Sequence, residues 1–175
     1  IGTLGEGASV SLDITNAISQ GRAAVSGDGS RGFFCNTMKK DASLTVNAFS
    51  GNADFQVSST DGNAGALVGT MEAGAKLTVE PEFTFSGSVT GAVNAGGLVG
   101  YASTYARVYM ENAALTVDIR LDERAQNNNN YYAGGVVGMM VGLAREFAGY
   151  DITINTVSPC VVNTERHRAR LRDDP

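Results

Sequence analysis

RGFFC (Arg31–Cys35), GALVG (Gly65–Gly69), GGLVG (Gly96–Gly100) and GGVVG (Gly134–Gly138) are four versions of one short phrase. A second phrase follows each: SLTVN from Ser43, KLTVE from Lys76, ALTVD from Ala114 and DITIN from Asp151. SVSLDI at Ser9–Ile14 gives a fifth copy of it near the start. Recurrence at a spacing of a few tens of residues is the signature of a solenoid or another stacked array. Phe33, Leu67, Leu98 and Val136 are expected to form one inward column. Leu44, Leu77, Leu115 and Ile152 are expected to form another. Thr37-Met38 and Thr70-Met71 also correspond, 33 residues apart.

The second phrase alternates apolar and polar side chains, as a strand with one buried face does. A weaker strand precedes each glycine box, at Ala24-Val25, Phe55–Val57 and Phe83–Val89, and turn residues follow it. Three short strands per repeat with small residues at the corners predict an all-β protein, a β-helix or β-solenoid of four to five coils. A β-sandwich also has frequent turns and is the alternative, but its strands have no reason to repeat in sequence. The longer connections hold Tyr101, Tyr105 and Tyr109, and Met139, Met140, Leu143 and Phe147, at spacings that suggest short helices on the flank. The array is expected to span residues 1–164. ERHRARLRDDP (residues 165–175) breaks the pattern and is expected to be an Arg-rich cap or tail.

Of 175 residues, 43% are hydrophobic and 18% charged, with 22 glycines, three prolines and no tryptophan. This is the composition of a globular chain rather than a disordered one. The net charge is −5, which disfavours nucleic acid or an anionic membrane as partner. No apolar run approaches the ~20 residues of a membrane-spanning helix. The first residue is Ile1, and a processed or excised chain is expected. Cys35 and Cys160 make no disulfide framework. Cys35 falls where other boxes carry glycine, and is expected to act as a small core residue without a bridge to Cys160.

Catalytic constellations are sparse. GDGSRG at Gly27–Gly32 satisfies G-x-G-x-x-G, with Asp54 downstream, but a strand rather than a helix follows, so a corner is expected. His167 is the sole histidine, which leaves triads and His-rich zinc sites almost no material. Glu80 with Glu82 and Asp118 with Asp122 pair on outward faces. Such carboxylates can serve polysaccharide hydrolysis or elimination, but outward strand positions normally carry solvated charge. Asp28, Asp61, Asn63 and Asn94 lie near successive corners and are a weak calcium pattern, since the calcium-loop signatures are absent. No cofactor is expected. All six tyrosines lie in the second half, and Tyr131 and Tyr132 follow the run Asn127–Asn130. Tyrosine supplies rigid amphipathic contact and asparagine adaptable hydrogen bonding. The candidate binding surface is therefore Tyr131, Tyr132, Asn128, Asn129, Asn130 and Tyr109.

The boxes at Gly65, Gly96 and Gly134 resemble the GLUG-type repeats of bacterial cell-surface, adhesin-like proteins, over most of residues 9–157. The first copy, RGFFC, departs from the pattern. The resemblance implies an extracellular, repeat-built segment of a longer surface protein without catalytic residues of its own. Its partners would be further repeats or another copy meeting it end-on, and a host glycan or protein. A carbohydrate-active β-helix enzyme is the alternative. At the amino terminus IGTLGEGA offers too little to cover a coil, so end-on pairing is expected there, with Val161, Val162 and the tail covering the other end.

Overall fold

The structure is a computed structural model that describes residues 1–13, 22–47, 54–81, 83–110, 114–122 and 132–140. The chain separates into two compact units, Ile1–Leu143 and Ala144–Pro175. The second lies wholly outside the described residues, as do Asp151–Asn155, Cys160, His167 and the expected end of the array at residue 164.

Unit Ile1–Leu143 is a β-solenoid. Among the described residues, 17 strands visit four parallel sheets in strict rotation. After β1 (Thr3–Leu4), the first coil comprises β2 (Ser9–Asp13), β3 (Arg22–Gly27), β4 (Arg31–Gly32) and β5 (Cys35–Met38). The second comprises β6 (Ser43–Asn47), β7 (Asp54–Ser59), β8 (Ala64–Gly65) and β9 (Val68–Met71). The third comprises β10 (Lys76–Val79), β11 (Thr84–Gly91), β12 (Asn94–Gly96) and β13 (Val99–Ala102). The fourth comprises β14 (Arg107–Met110), β15 (Ala114–Leu121), β16 (Tyr132–Gly134) and β17 (Val137–Met140). Every pairing is parallel, which rules out the sandwich alternative. Each coil carries a fourth, very short strand beyond the three expected, because the glycine box bends and splits between two sheets.

The second phrase forms strands for the expected reason. In β6 the pattern Ser-Leu-Thr-Val-Asn puts Leu44 and Val46 inside, fully buried. Register stacks Val10, Leu44, Leu77 and Val108 in one column, with Leu12, Val46, Val79 and Met110 beside them. Each fully buried Leu or Val stabilises the fold by roughly 1.5–3 kcal/mol. Leu115 is not in this column. It belongs to β15 and stands opposite Phe85, in the sheet of the weaker strand. ALTVD is therefore the third strand of its coil, and RVYM at Arg107–Met110 holds the place of the second phrase. The connection before it is as short as in the other coils. Nor do helices occur among the described residues: Tyr101 and Tyr109 lie on strands, Tyr105 on the turn between them, and Met139 and Met140 on β17. Leu143 and Phe147 lie outside the described residues.

The box register also differs by one residue in the first copy. Cys35 pairs with Val68, and Val68 with Val99, while Gly32 pairs with Gly65. Phe34, not Phe33, thus corresponds to Leu67, Leu98 and Val136, and the Phe34 and Leu67 amides donate to Leu67 O and Leu98 O. Cys35 sits at a valine position, completely buried, and Asn36 takes the glycine position. Phe33 instead packs edge-on against Phe55, at 4.6 Å between centroids, and Phe55 stacks on Phe85 at 4.7 Å.

The box glycines follow from how closely coils approach. A Cβ on Gly100 would lie 2.7 Å from both Ala64 O and Gly69 O, and one on Gly69 would lie 2.5 Å from Arg31 N. Each needs the space because the short strand of the preceding coil, β4 for Gly69 and β8 for Gly100, closes it. No such strand closes it for Asn36, since β4 is itself the edge of its sheet among the described residues, although β1 lies against β5. Asn36 uses the room, its Oδ1 accepting a hydrogen bond from Gly32 N at 3.2 Å. The edge thus accommodates a side chain at the position where the later boxes carry glycine.

The turns entering the second phrase stack as well. Ala8, Ala42, Ala75 and Ala106 each donate a backbone hydrogen bond three residues back, and the residue before each has positive φ: Gly7, Asp41, Gly74 and Tyr105. At the amino terminus Ile1–Leu4 do more than expected. β1 pairs with β5, the Asn36 and Thr37 amides donate to Ile1 O and Gly2 O, and Leu4 is buried. The other three sheets end at β2, β3 and β4.

Candidate functional site

The expected surface separates in the structure. Tyr109 is on β14, at the edge of the sheet order β14-β10-β6-β2, and Tyr132 is on β16, in a different sheet. Asn128, Asn129, Asn130 and Tyr131 lie outside the described residues. Both described tyrosines are exposed, at 49% for Tyr109 and 42% for Tyr132.

Alternation along β14 turns Arg107 and Tyr109 outward while Val108 packs on the core. Register places Arg107 beside Lys76 and Ser43, and Tyr109 beside Thr78 and Thr45. Ser9 and Ser11 continue these two outward columns on β2. Lys76 Nζ lies 5.0 Å from the centre of the Tyr109 ring, a cation–π contact. Two cations on neighbouring strands, an exposed ring and rows of hydroxyls thus share one face. Sequence reasoning singled out Tyr109 but missed Lys76 and Arg107, because the strand RVYM was not recognised as such.

GDGSRG is a solenoid corner between β3 and β4. In that corner Asp28 Oδ1 accepts a hydrogen bond from Thr60 Oγ1 at 2.5 Å, and Asp61 Oδ1 accepts one from Gly29 N. Asn94 Nδ2 donates to Asn63 Oδ1 at 2.7 Å, and Asn63 Nδ2 to Thr70 Oγ1 at 2.9 Å. These side chains knit adjacent coils. Among the described residues no three His, Cys, Asp or Glu side chains gather as a metal site. The Asn ladder stops at the fourth coil, where Tyr132 is opposite Asn94 and the buried Asn94 Oδ1 has no hydrogen-bond partner. Asp118 is ion-paired with Arg120, Glu80 is half-buried beyond β10, and Glu82 lies outside the described residues. Burial pushes the Cys35 thiol above its ordinary pKa, against smaller opposing effects from backbone hydrogen bonds to Leu4 and Thr37 and the charged amino terminus. Among the described residues no helix is long and apolar enough to cross a membrane.

No protein family and no solved structure matches the chain. Over 36 residues, 21% of its length, it is 58% identical to 2,3-dihydroxy-2,3-dihydro-p-cumate dehydrogenase of Pseudomonas putida, and the same figures hold for that enzyme from strain F1. The chain spans only 14% of the length of these curated relatives.

Proposed function

We propose that the solenoid is a non-catalytic structural and adhesive module of a secreted or surface-anchored bacterial protein. The observation that carries this reading is the use of the repeat itself. The recurrent glycines serve close approach between coils, and the recurrent apolar positions fill columns. What recurs is therefore what stacks, which leaves the outward faces for display. The resemblance of the boxes to GLUG-type repeats supports the surface location. End-on contact with further repeats or a second copy belongs to the same reading, at the amino-terminal edges β2 and β3. Asn36 narrows it, because its side chain satisfies Gly32 N where an added strand would pair with β4.

Sedimentation or light scattering across concentration tests the end-on contact. Self-association weakened by Ser11→Pro and strengthened by Asn36→Gly is expected. A monomer at every concentration, unchanged in both variants, removes it.

A further inference from the structure

We propose that the outward face of sheet β14-β10-β6-β2 binds an anionic polysaccharide, with Lys76 and Arg107 gripping its acidic groups and Tyr109 carrying a sugar ring. This names a ligand for the display reading and rests on it.

Lys76 and Arg107 stand directly beside each other on paired strands, a strand spacing of about 4.8 Å apart. Like charges so placed repel and cost stability, so their pairing needs a compensating use. The protein supplies little relief. Lys39 is ion-paired with Glu72 at 2.6 Å, Lys40 stands within 4.0 Å of Glu6 and Asp41, and Arg120 is paired with Asp118. No carboxylate among the described residues pairs with Lys76 or Arg107. On a chain of net charge −5 this is a local positive patch on a negative body.

The surroundings select the class of anion. The Lys76 ammonium stands over one part of the Tyr109 ring, and the ring's remaining exposed area offers an apolar platform for a pyranose. Ser9, Ser43, Ser11, Thr45 and Thr78 set hydroxyls along the same face at strand spacing, suited to a ligand that is itself rich in hydroxyls. The guanidinium of Arg107 can take a carboxylate or a sulfate with two parallel hydrogen bonds. Nucleic acid carries a charge density that the acidic body repels. An extended glycan with intermittent acidic groups meets one cation pair and a ring without that penalty.

The test is affinity electrophoresis and titration calorimetry of the full chain at low ionic strength. Polygalacturonate and dextran sulfate are the probes, with neutral dextran and single-stranded DNA as comparisons. Retardation by at least one anionic glycan and none by dextran is expected, and the two probes separate carboxylate from sulfate recognition. Lys76→Gln combined with Arg107→Gln should weaken binding at least tenfold, Tyr109→Ala several-fold, and Lys39→Gln not at all. Unchanged circular dichroism and thermal midpoint show that the variants fold. Absence of binding to both anionic glycans, a double variant within twofold of the parent, or equal binding of DNA overturns the proposal. Those outcomes leave the end-on association measured by scattering untouched, so the two readings fail separately.

Discussion

Leu98 and Val136 hold the same place in successive glycine boxes, and only one of them is in a core. Leu98 is completely buried, whereas Val136 is 44% exposed. The same contrast runs through the glycines: a Cβ on Gly97 would overlap Gly135 O, while one on Gly135 meets nothing within 4 Å. Val108, Leu115, Val117, Ile119 and Val137 of the fourth coil are likewise only partly buried. A repeat position therefore has no burial of its own. The neighbouring coils confer it: Val10 and Leu12 of the first coil are also only partly buried, while Leu44 and Val46, with a coil on either side, are completely so.

Paired substitutions measure that contrast. Leu98→Ala should destabilise by roughly 2–5 kcal/mol, as for a buried leucine, whereas Val136→Ala should cost under ~1 kcal/mol. Urea unfolding checks both, and equal costs would break the comparison. Gly97→Ala should destabilise by about 1–3 kcal/mol through overpacking against the next coil. Gly135→Ala should be neutral to stabilising by up to ~1 kcal/mol through the unfolded chain's entropy. Tyr105, at φ +60° in a turn where the equivalent residues are Gly7 and Gly74, bears strain that glycine would not. Tyr105→Gly should raise stability by about 1 kcal/mol or less, read as a higher thermal midpoint, and a lower midpoint would show that its ring contributes more than its backbone costs.

The smallest effect concerns Cys35. Its thiol pKa is raised by burial, so the folded state binds the thiol proton more tightly than the unfolded one. Any stability linked to it is complete below the ordinary value near 9 and declines as pH rises above it. In a Cys160→Ser variant, iodoacetamide at pH 8 should leave the native Cys35 thiol unmodified and alkylate it in urea. Rapid native labelling of that variant would place Cys35 outside the column it shares with Val68 and Val99.

The sequence made the solenoid legible but not its register. SLTVN and KLTVE align because alternation and spacing agree. ALTVD alternates equally well, since strands of two different sheets each present one face inward. Composition cannot distinguish them. The residues that do are Ala42, Ala75 and Ala106, closing one turn before each true second-phrase strand. That signal was readable at Tyr105-Ala106, but tyrosines four apart imitated a helix. In the first box, two phenylalanines hid a one-residue shift that Thr37-Met38 already implied. The candidate face stayed half seen for the same reason, because Arg107 meets Lys76 only when RVYM is placed beside KLTV.

Asn36 has a genealogical consequence. A unit copied from the interior of the array carries Gly69 or Gly100 and fits above another coil as it stands. A box strand added beside β4 would meet the Asn36 side chain where its own backbone must pass. Lengthening by duplication is thus open between the described coils and obstructed beside β4, unless Asn36 is replaced in the same event.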